Sequence, residues 1–130
     1  MGLSQFDERQ PFVNVGQIAA ADSPGIQNIG SAGSAFLRID TIIATTDDTD
    51  PVEIQLAIDD SFGDIAVLAG VTLAPGAGTL DGVPAVDLLA AAGLGDKGIV
   101  LFGPASLRFT TSTTLNSGKY LWCVALGGYC

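Results

Sequence analysis

The sequence predicts an all-β fold: a β-sandwich or jelly roll of about seven to eight strands with one short helix. Three observations carry that expectation. Several stretches alternate apolar and polar residues with the period of a strand. Turn chemistry built on Gly, Pro, Asn and Asp separates them at intervals of about 8–12 residues. Only one segment, "VPAVDLLAAAGLG", has Leu and Ala in place of β-branched residues, with proline near its start and glycine after its end.

Taken in order, "MGLSQFDERQP" has no period and reads as an arm over residues 1–11, leaving residues 12–130 as one domain. "FVNVGQIAA" sets Phe12, Val13, Val15 and Ile18 around Asn14 and Gln17 and predicts a strand over 12–20. "ADSPGIQNIGSAGS" opens on Asp-Ser-Pro-Gly and stays glycine-rich, which predicts a long irregular connection. "AFLRIDTIIATT" alternates most clearly. Leu37, Ile39, Thr41 and Ile43 are expected on the buried side, and Phe36, Arg38, Asp40 and Ile42 on the other. "VEIQLAID" repeats the device, with Val52, Ile54, Leu56 and Ile58 inward. "IAVLAGVTL" is uniformly apolar and predicts a more deeply buried strand. A helix is predicted over 84–92. Three final strands, "GIVLF", "SLRFTTSTT" and "KYLWCVAL", are separated by Pro104 and by Asn116-Ser117-Gly118.

Composition narrows the function classes. Of 130 residues, 48% are hydrophobic and only 15% charged, against about 25% in a typical domain. A chain of this mass exposes roughly 6,400 Å² when folded, so charge covers it thinly. Part of the surface is therefore expected to lie against other subunits. The net charge is −9, from 14 acidic and 5 basic residues. Acid concentrates at Asp40, Asp47, Asp48, Asp50, Glu53, Asp59, Asp60 and Asp64, and no Lys or Arg occurs between Arg38 and Lys97. Such a surface repels phosphate, so neither nucleic acid nor an anionic membrane is expected as a partner. The opening residues do not read as a secretion signal, and no apolar run reaches the ~20 residues of a membrane-spanning helix.

No catalytic constellation is legible. The chain has no histidine, which removes the commonest general base and metal ligand, and with them any Ser-His-Asp or Cys-His site within the chain. "PGAGTLDG" lacks the ending and the basic residue of a phosphate-binding loop. The adjacent pairs Asp47–Asp48 and Asp59–Asp60 sit at strand ends, where neighbouring side chains diverge. The expectation is a protein that is not an enzyme and carries no cofactor and no metal. "DDTD" and "DDSFGD" keep a calcium site open as an alternative, although neither matches the Asp-x-Asp-x-Asp-Gly pattern.

Both cysteines, the only tryptophan and both tyrosines fall in "KYLWCVALGGYC". Cys123 and Cys130 lie roughly 23 Å apart along a straight strand, too far for a disulfide unless the chain doubles back near Leu126–Gly127, and free, packed thiols are expected. Tyr120, Trp122, Val124 and Leu126 share one face of this strand, and Leu121, Cys123 and Ala125 the other. Both faces are apolar, which predicts a central strand or one covered by another subunit. Phe6, Phe12, Tyr120, Trp122 and Tyr129 are the candidate interface residues. A sugar-stacking platform built on Lys119, Tyr120 and Trp122 is the alternative use of the same aromatics.

The block "VTLAPGAGTLDGVPAVDLLAAAGL" and the later "TTLNSGKYLWCVALGGYC" resemble small virion proteins of tailed bacteriophages, of the capsid cement or decoration type. The resemblance rests on the glycine-rich loop Gly76 to Gly82, on Pro84 to Leu89, on Gly118-Lys119 and on Gly127-Gly128-Tyr129. It covers less than half the chain, and the terminal Cys130 departs from the pattern. It implies a protein of the virion, assembled in the host cytoplasm, that binds major capsid subunits and stabilises the shell; another virion component, of neck or tail, is the alternative. It also implies a homo-oligomer, with a trimer favoured, and an arm that orders on a neighbour.

Overall fold

The computed structural model describes residues 10–31, 36–63, 65–94 and 97–129. The chain folds as a β-sandwich of two antiparallel sheets, as the alternation and turn spacing predict. The front sheet has the order β1 (Gln10–Ala19), β9 (Tyr120–Tyr129), β3 (Phe36–Thr46), with β6 (Val86–Asp87) and β7 (Ile99–Phe102) both pairing with the far side of β3. The back sheet has the order β2 (Gly25–Ser31), β8 (Ser106–Thr111), β4 (Val52–Asp59), β5 (Ile65–Leu73). One short helix, α1 (Leu88–Ala91), follows β6. No helix among the described residues is long and apolar enough to cross a membrane.

The core lies between the sheets. Ile18, Leu37, Ile39, Ile42, Leu101, Leu121, Cys123 and Ala125 enter from the front. Ile29, Val52, Ile54, Leu56, Leu73, Leu107 and Phe109 enter from the back. Gly16 leaves room for this packing, because a Cβ there would press into the Phe109 ring and Ile29. β9 is central, between β1 and β3, and its Leu121, Cys123 and Ala125 are fully buried. This agrees with the two-sided apolar pattern of "KYLWCVAL".

Four local expectations are corrected. The stretch read as an irregular connection contains β2, an edge strand paired with β8. A register shift between Asn28 and Gly30 breaks its alternation, and only Ile26 and Ile29 are apolar and β-branched, so the signal is weak. The alternation in β3 does not run through. Leu37 and Ile39 are buried, but beyond them Ile42, Ala44 and Thr46 turn inward and Thr41 and Ile43 turn outward. The cause is a bulge: Ile39 pairs with Gly127 and Thr41 with Leu126, leaving Asp40 as the extra residue. Gly127 permits it, because any Cβ there would overlap the Arg38 carbonyl oxygen.

The third correction concerns β5. It was expected to be deeply buried, yet it is an edge strand with only Leu73 buried. Uniform apolarity marked a surface here rather than a core. Last, the helix predicted over 84–92 shrinks to Leu88–Ala91, because Val86 and Asp87 pair with β3 first. Asp87 then caps it, accepting from the backbone N–H of Leu89 at 3.0 Å and of Ala90 at 3.3 Å.

Candidate functional site

The two outer faces of the sandwich differ in chemistry. On the back sheet, Asn28, Arg108, Thr110, Glu53, Gln55 and Thr72 point outward, with Ile26 of β2 and Ile65 and Val67 of β5 as exposed apolar exceptions. Arg108 forms an ion pair with Asp59 there. On the front sheet the outward positions are mostly apolar. Val13 (65% exposed) and Val15 (57%) on β1 stand opposite Leu126 and Val124 of β9. Thr41 and Ile43 of β3 flank that pair on the other side. Lower on the same face Phe36 pairs with Phe102, their rings 5.8 Å apart and tilted by 51°, and Val100 lies opposite Arg38. Phe36, Val100 and Phe102 are each more than half exposed. The Arg38–Asp40 ion pair, at 2.8 Å, is the charged feature among these residues.

This asymmetry has a physical meaning. A sheet that faces water on one side normally alternates apolar inward with polar outward. The back sheet follows that rule on β8 and β4 and departs from it on its edge strands, at Ile26, Ile65 and Val67. The front sheet carries apolar groups on both sides, with Val13, Val15, Phe36, Val100 and Phe102 each more than half exposed.

The candidate aromatic residues divide. Phe12 and Tyr129 turn inward and close the lower end of the core, edge to face with centroids 5.6 Å apart. Tyr120 and Trp122 point outward at the upper end of the front face, half-buried and stacked on each other at 5.5 Å with 25° between their planes. The register sets Trp122 between Gln17 and Thr45. Because the two rings use one face on each other, they do not lie side by side as a flat platform for a sugar. Phe6 lies outside the described residues. Sequence reasoning missed Phe36, Val100 and Phe102. The available signal was that "AFL" and "GIVLF" are apolar at successive positions, so that both faces of those strands carry apolar groups.

The acidic turn after β3 is occupied by the fold itself. Asp48 is 1% exposed. Its carboxylate accepts from the backbone N–H of Asp50 at 3.0 Å, from the backbone N–H of Asn116 at 2.9 Å and from the Asn116 side-chain amide. Asp47 accepts from the Tyr120 N–H at 2.8 Å, and the Thr46 hydroxyl donates to the Tyr120 carbonyl at 2.9 Å. Burial pushes the Asp48 carboxyl up, but the N–H groups of Asn116, Asp50 and Thr49 together outweigh it, and its pKa lies below the ordinary value. Asp59 and Asp60 accept from the backbone N–H groups of Ser61 and Phe62 at 2.8 and 2.7 Å. These aspartates hold turns, and among the described residues no group of three or more potential ligands is placed to hold a metal ion. Asp64 lies outside the described residues.

The back sheet carries a shallow cleft of about 390 Å³ lined by Glu53, Gln55, Gly70, Thr72, Thr110 and Ser112. Gly70 makes the notch, since nothing lies within 4 Å of where its Cβ would stand. Cys123 is a free thiol in the core, its pKa pushed up by burial. A protonated thiol without access to solvent is a poor nucleophile. Cys130 lies outside the described residues.

No family model matches the sequence, and no curated protein matches it. Among solved structures the chain is similar to the CBM22-1–GH10 modules of the Clostridium thermocellum N-terminal endo-1,4-beta-D-xylanase 10B, a structure complexed with xylohexaose, at 9% identity and a TM-score of 0.41. The alignment covers 95% of this chain, which spans 27% of the length of that one.

Proposed function

We propose that this protein is a non-enzymatic structural component of a tailed-bacteriophage virion, a cement or decoration protein that docks on major capsid subunits and stabilises the shell. The observation that supports docking is the open apolar face of the front sheet, from Val13 and Val15 across Leu126 to Phe36 and Phe102. The virion assignment rests on the resemblance of residues 71–94 and 113–130 to proteins of that type. Mechanically the role is adhesion. A rigid sandwich lays one apolar face across neighbouring subunits, and many modest contacts acting together give avidity that no single contact has. The back face, polar along β8 and β4 and apolar only at its edges, then remains toward solvent.

The test has two parts. Mass spectrometry of purified particles should find this chain among the virion proteins. The purified chain should also co-sediment with shells assembled from the major capsid protein alone. Absence from particles together with no co-sedimentation would refute the assignment.

A second reading is a ligand-binding module, and the back-sheet cleft is the observation that favours it. Glu53, Gln55, Thr72, Thr110 and Ser112 offer hydrogen-bonding groups around the Gly70 notch, which suits a neutral carbohydrate better than calcium. A ligand that binds only the folded state raises the melting temperature. Titration with neutral oligosaccharides, and separately with calcium, followed by thermal melting therefore tests this reading.

A further inference from the structure

We propose that β1 is a joint between two copies of this chain: its free edge pairs antiparallel with the β1 of a second copy about a twofold axis perpendicular to the front sheet. The starting point is the way the edges of the sandwich are protected. An open edge strand offers a row of unpaired N–H and C=O groups, and proteins blunt such edges with short strands, bulges, charges or proline. The strands at the far edge of the front sheet are short, two residues in β6 and four in β7. The back-sheet edges are both irregular, with register shifts in β2 between Asn28 and Gly30 and in the β4–β5 pair between Leu56 and Ala57.

β1 has none of these devices over most of its length. It is ten residues long and keeps one unbroken register with β9 from Gln10–Tyr129 to Ala19–Tyr120. No described strand pairs with its other side. "QPFVNVGQIA" contains no charged residue, and its one proline stands at the beginning. The β2 strand beneath it, "GIQNIGS", is also uncharged, and the Asn14 amide ties the two together by donating to the Ile29 carbonyl at 3.1 Å. In a chain of net charge −9, an uncharged wall of the sandwich is where two copies can meet without strong repulsion.

The size of this wall also fits. Ten residues at about 3.4 Å each, times a sandwich edge on the order of 20 Å thick with its side chains, give roughly 700 Å² per copy. A standard stable interface takes about 800 Å² per partner. Register follows from the side chains. Opposed residues of an antiparallel pair share a face, and centring the pair on Asn14 sets Val13 against Val15 of the second copy, and Val15 against its Val13. The perpendicular twofold keeps both front faces on the same side, so the apolar face becomes continuous across the pair. A threefold ring would instead require β1 to pair with a different edge of its neighbour, and those edges are short or irregular. The inference stands on the edge itself and does not depend on what the front face docks against.

The test uses the full chain in solution, by light scattering or sedimentation equilibrium. Wild type should have twice the 13.2 kDa of one chain. The double variant V13K/V15K, at two exposed positions, should be a folded monomer, as should V13D/V15D. Mixing the lysine and aspartate variants should restore the dimer, because the register sets each lysine against an aspartate. Should either double variant fail to melt cooperatively, the single variants V13K and V13D are to be compared in the same way. A monomeric or trimeric wild type, or a lysine variant that stays dimeric, would overturn the proposal. So would a failure of the mixed variants to reassociate.

Discussion

Asp48 and Asn116, 68 positions apart, are joined by two hydrogen bonds: one Asp48 carboxylate oxygen accepts from the Asn116 backbone N–H at 2.9 Å and the other from its side-chain amide. The pair fastens the turn after β3 to the turn before β9. Both turns lie at the same end of the β3–β9 pairing, beside the Thr46–Leu121 pair where the central strand begins. The "DDTD" acids that suggested a calcium loop are thereby explained as turn-holding groups. Asp48→Ala leaves the N–H groups of Asp50 and Asn116 without their acceptor in a nearly closed site. We expect a loss of about 2–4 kcal/mol, measured by chemical denaturation. A loss under about 0.5 kcal/mol would remove the clasp from the account.

Stability should also depend on acid through the same carboxylate. The folded-state pKa of Asp48 lies below its unfolded value because the hydrogen bonds favour the ionised form. The unfolded chain therefore takes up this proton first as pH falls. The stabilisation is fully present above an ordinary aspartate pKa of about 3.9 and is lost as pH falls through the lowered folded value. Melting temperature measured from pH 7 to pH 2 should fall below about pH 4, and the fall should be smaller in Asp48→Asn.

Two glycines should respond oppositely to alanine. Gly127 sits against the Arg38 carbonyl oxygen at the β3 bulge, where a Cβ has no space. Gly127→Ala should cost about 3 kcal/mol or more, since the bulge or the strand pairing has to give way. Gly70, also in a strand, faces open space, and Gly70→Ala should be neutral or stabilise by up to about 1 kcal/mol. Thermal melts of both variants check the contrast.

Cys123 should be inert in the native state. Its thiol is enclosed in the core and its pKa is raised by burial. A thiol reagent applied to a Cys130→Ser variant should give no labelling until denaturant is added. Cys123→Ser, which puts a hydroxyl among apolar groups, should cost about 1–3 kcal/mol.

The sequence made the sandwich legible because β4 and β8 carry nearly unbroken alternation, and period two has one physical interpretation. It failed where the backbone departs from a regular ladder. The bulge at Asp40 reverses the facing of Ile42 and Ile43, and nothing in "RIDTII" announces it except Gly127, a strand partner far away in sequence. β2 was hidden by its glycines and its own register shift. β5 was misjudged because apolar side chains look alike whether they meet a core or a bare edge. For the candidate site, the outward set Trp122, Val124 and Leu126 was readable from one strand. That it continues into Val13, Val15, Phe36 and Phe102 depends on which strands lie side by side, which no single segment records.

The most direct test of the docking face is co-sedimentation of wild type and a Leu126→Asp/Phe102→Asp variant with shells made of major capsid protein alone. Leu126 and Phe102 are both solvent-exposed, so the variant should melt within a few degrees of wild type, and neither residue lies on the β1 edge. Wild type should pellet with the shells and the variant should remain in the supernatant. A variant that pellets as fully as wild type, or a wild type that never pellets, would contradict the assignment of the front face as the surface that meets the shell.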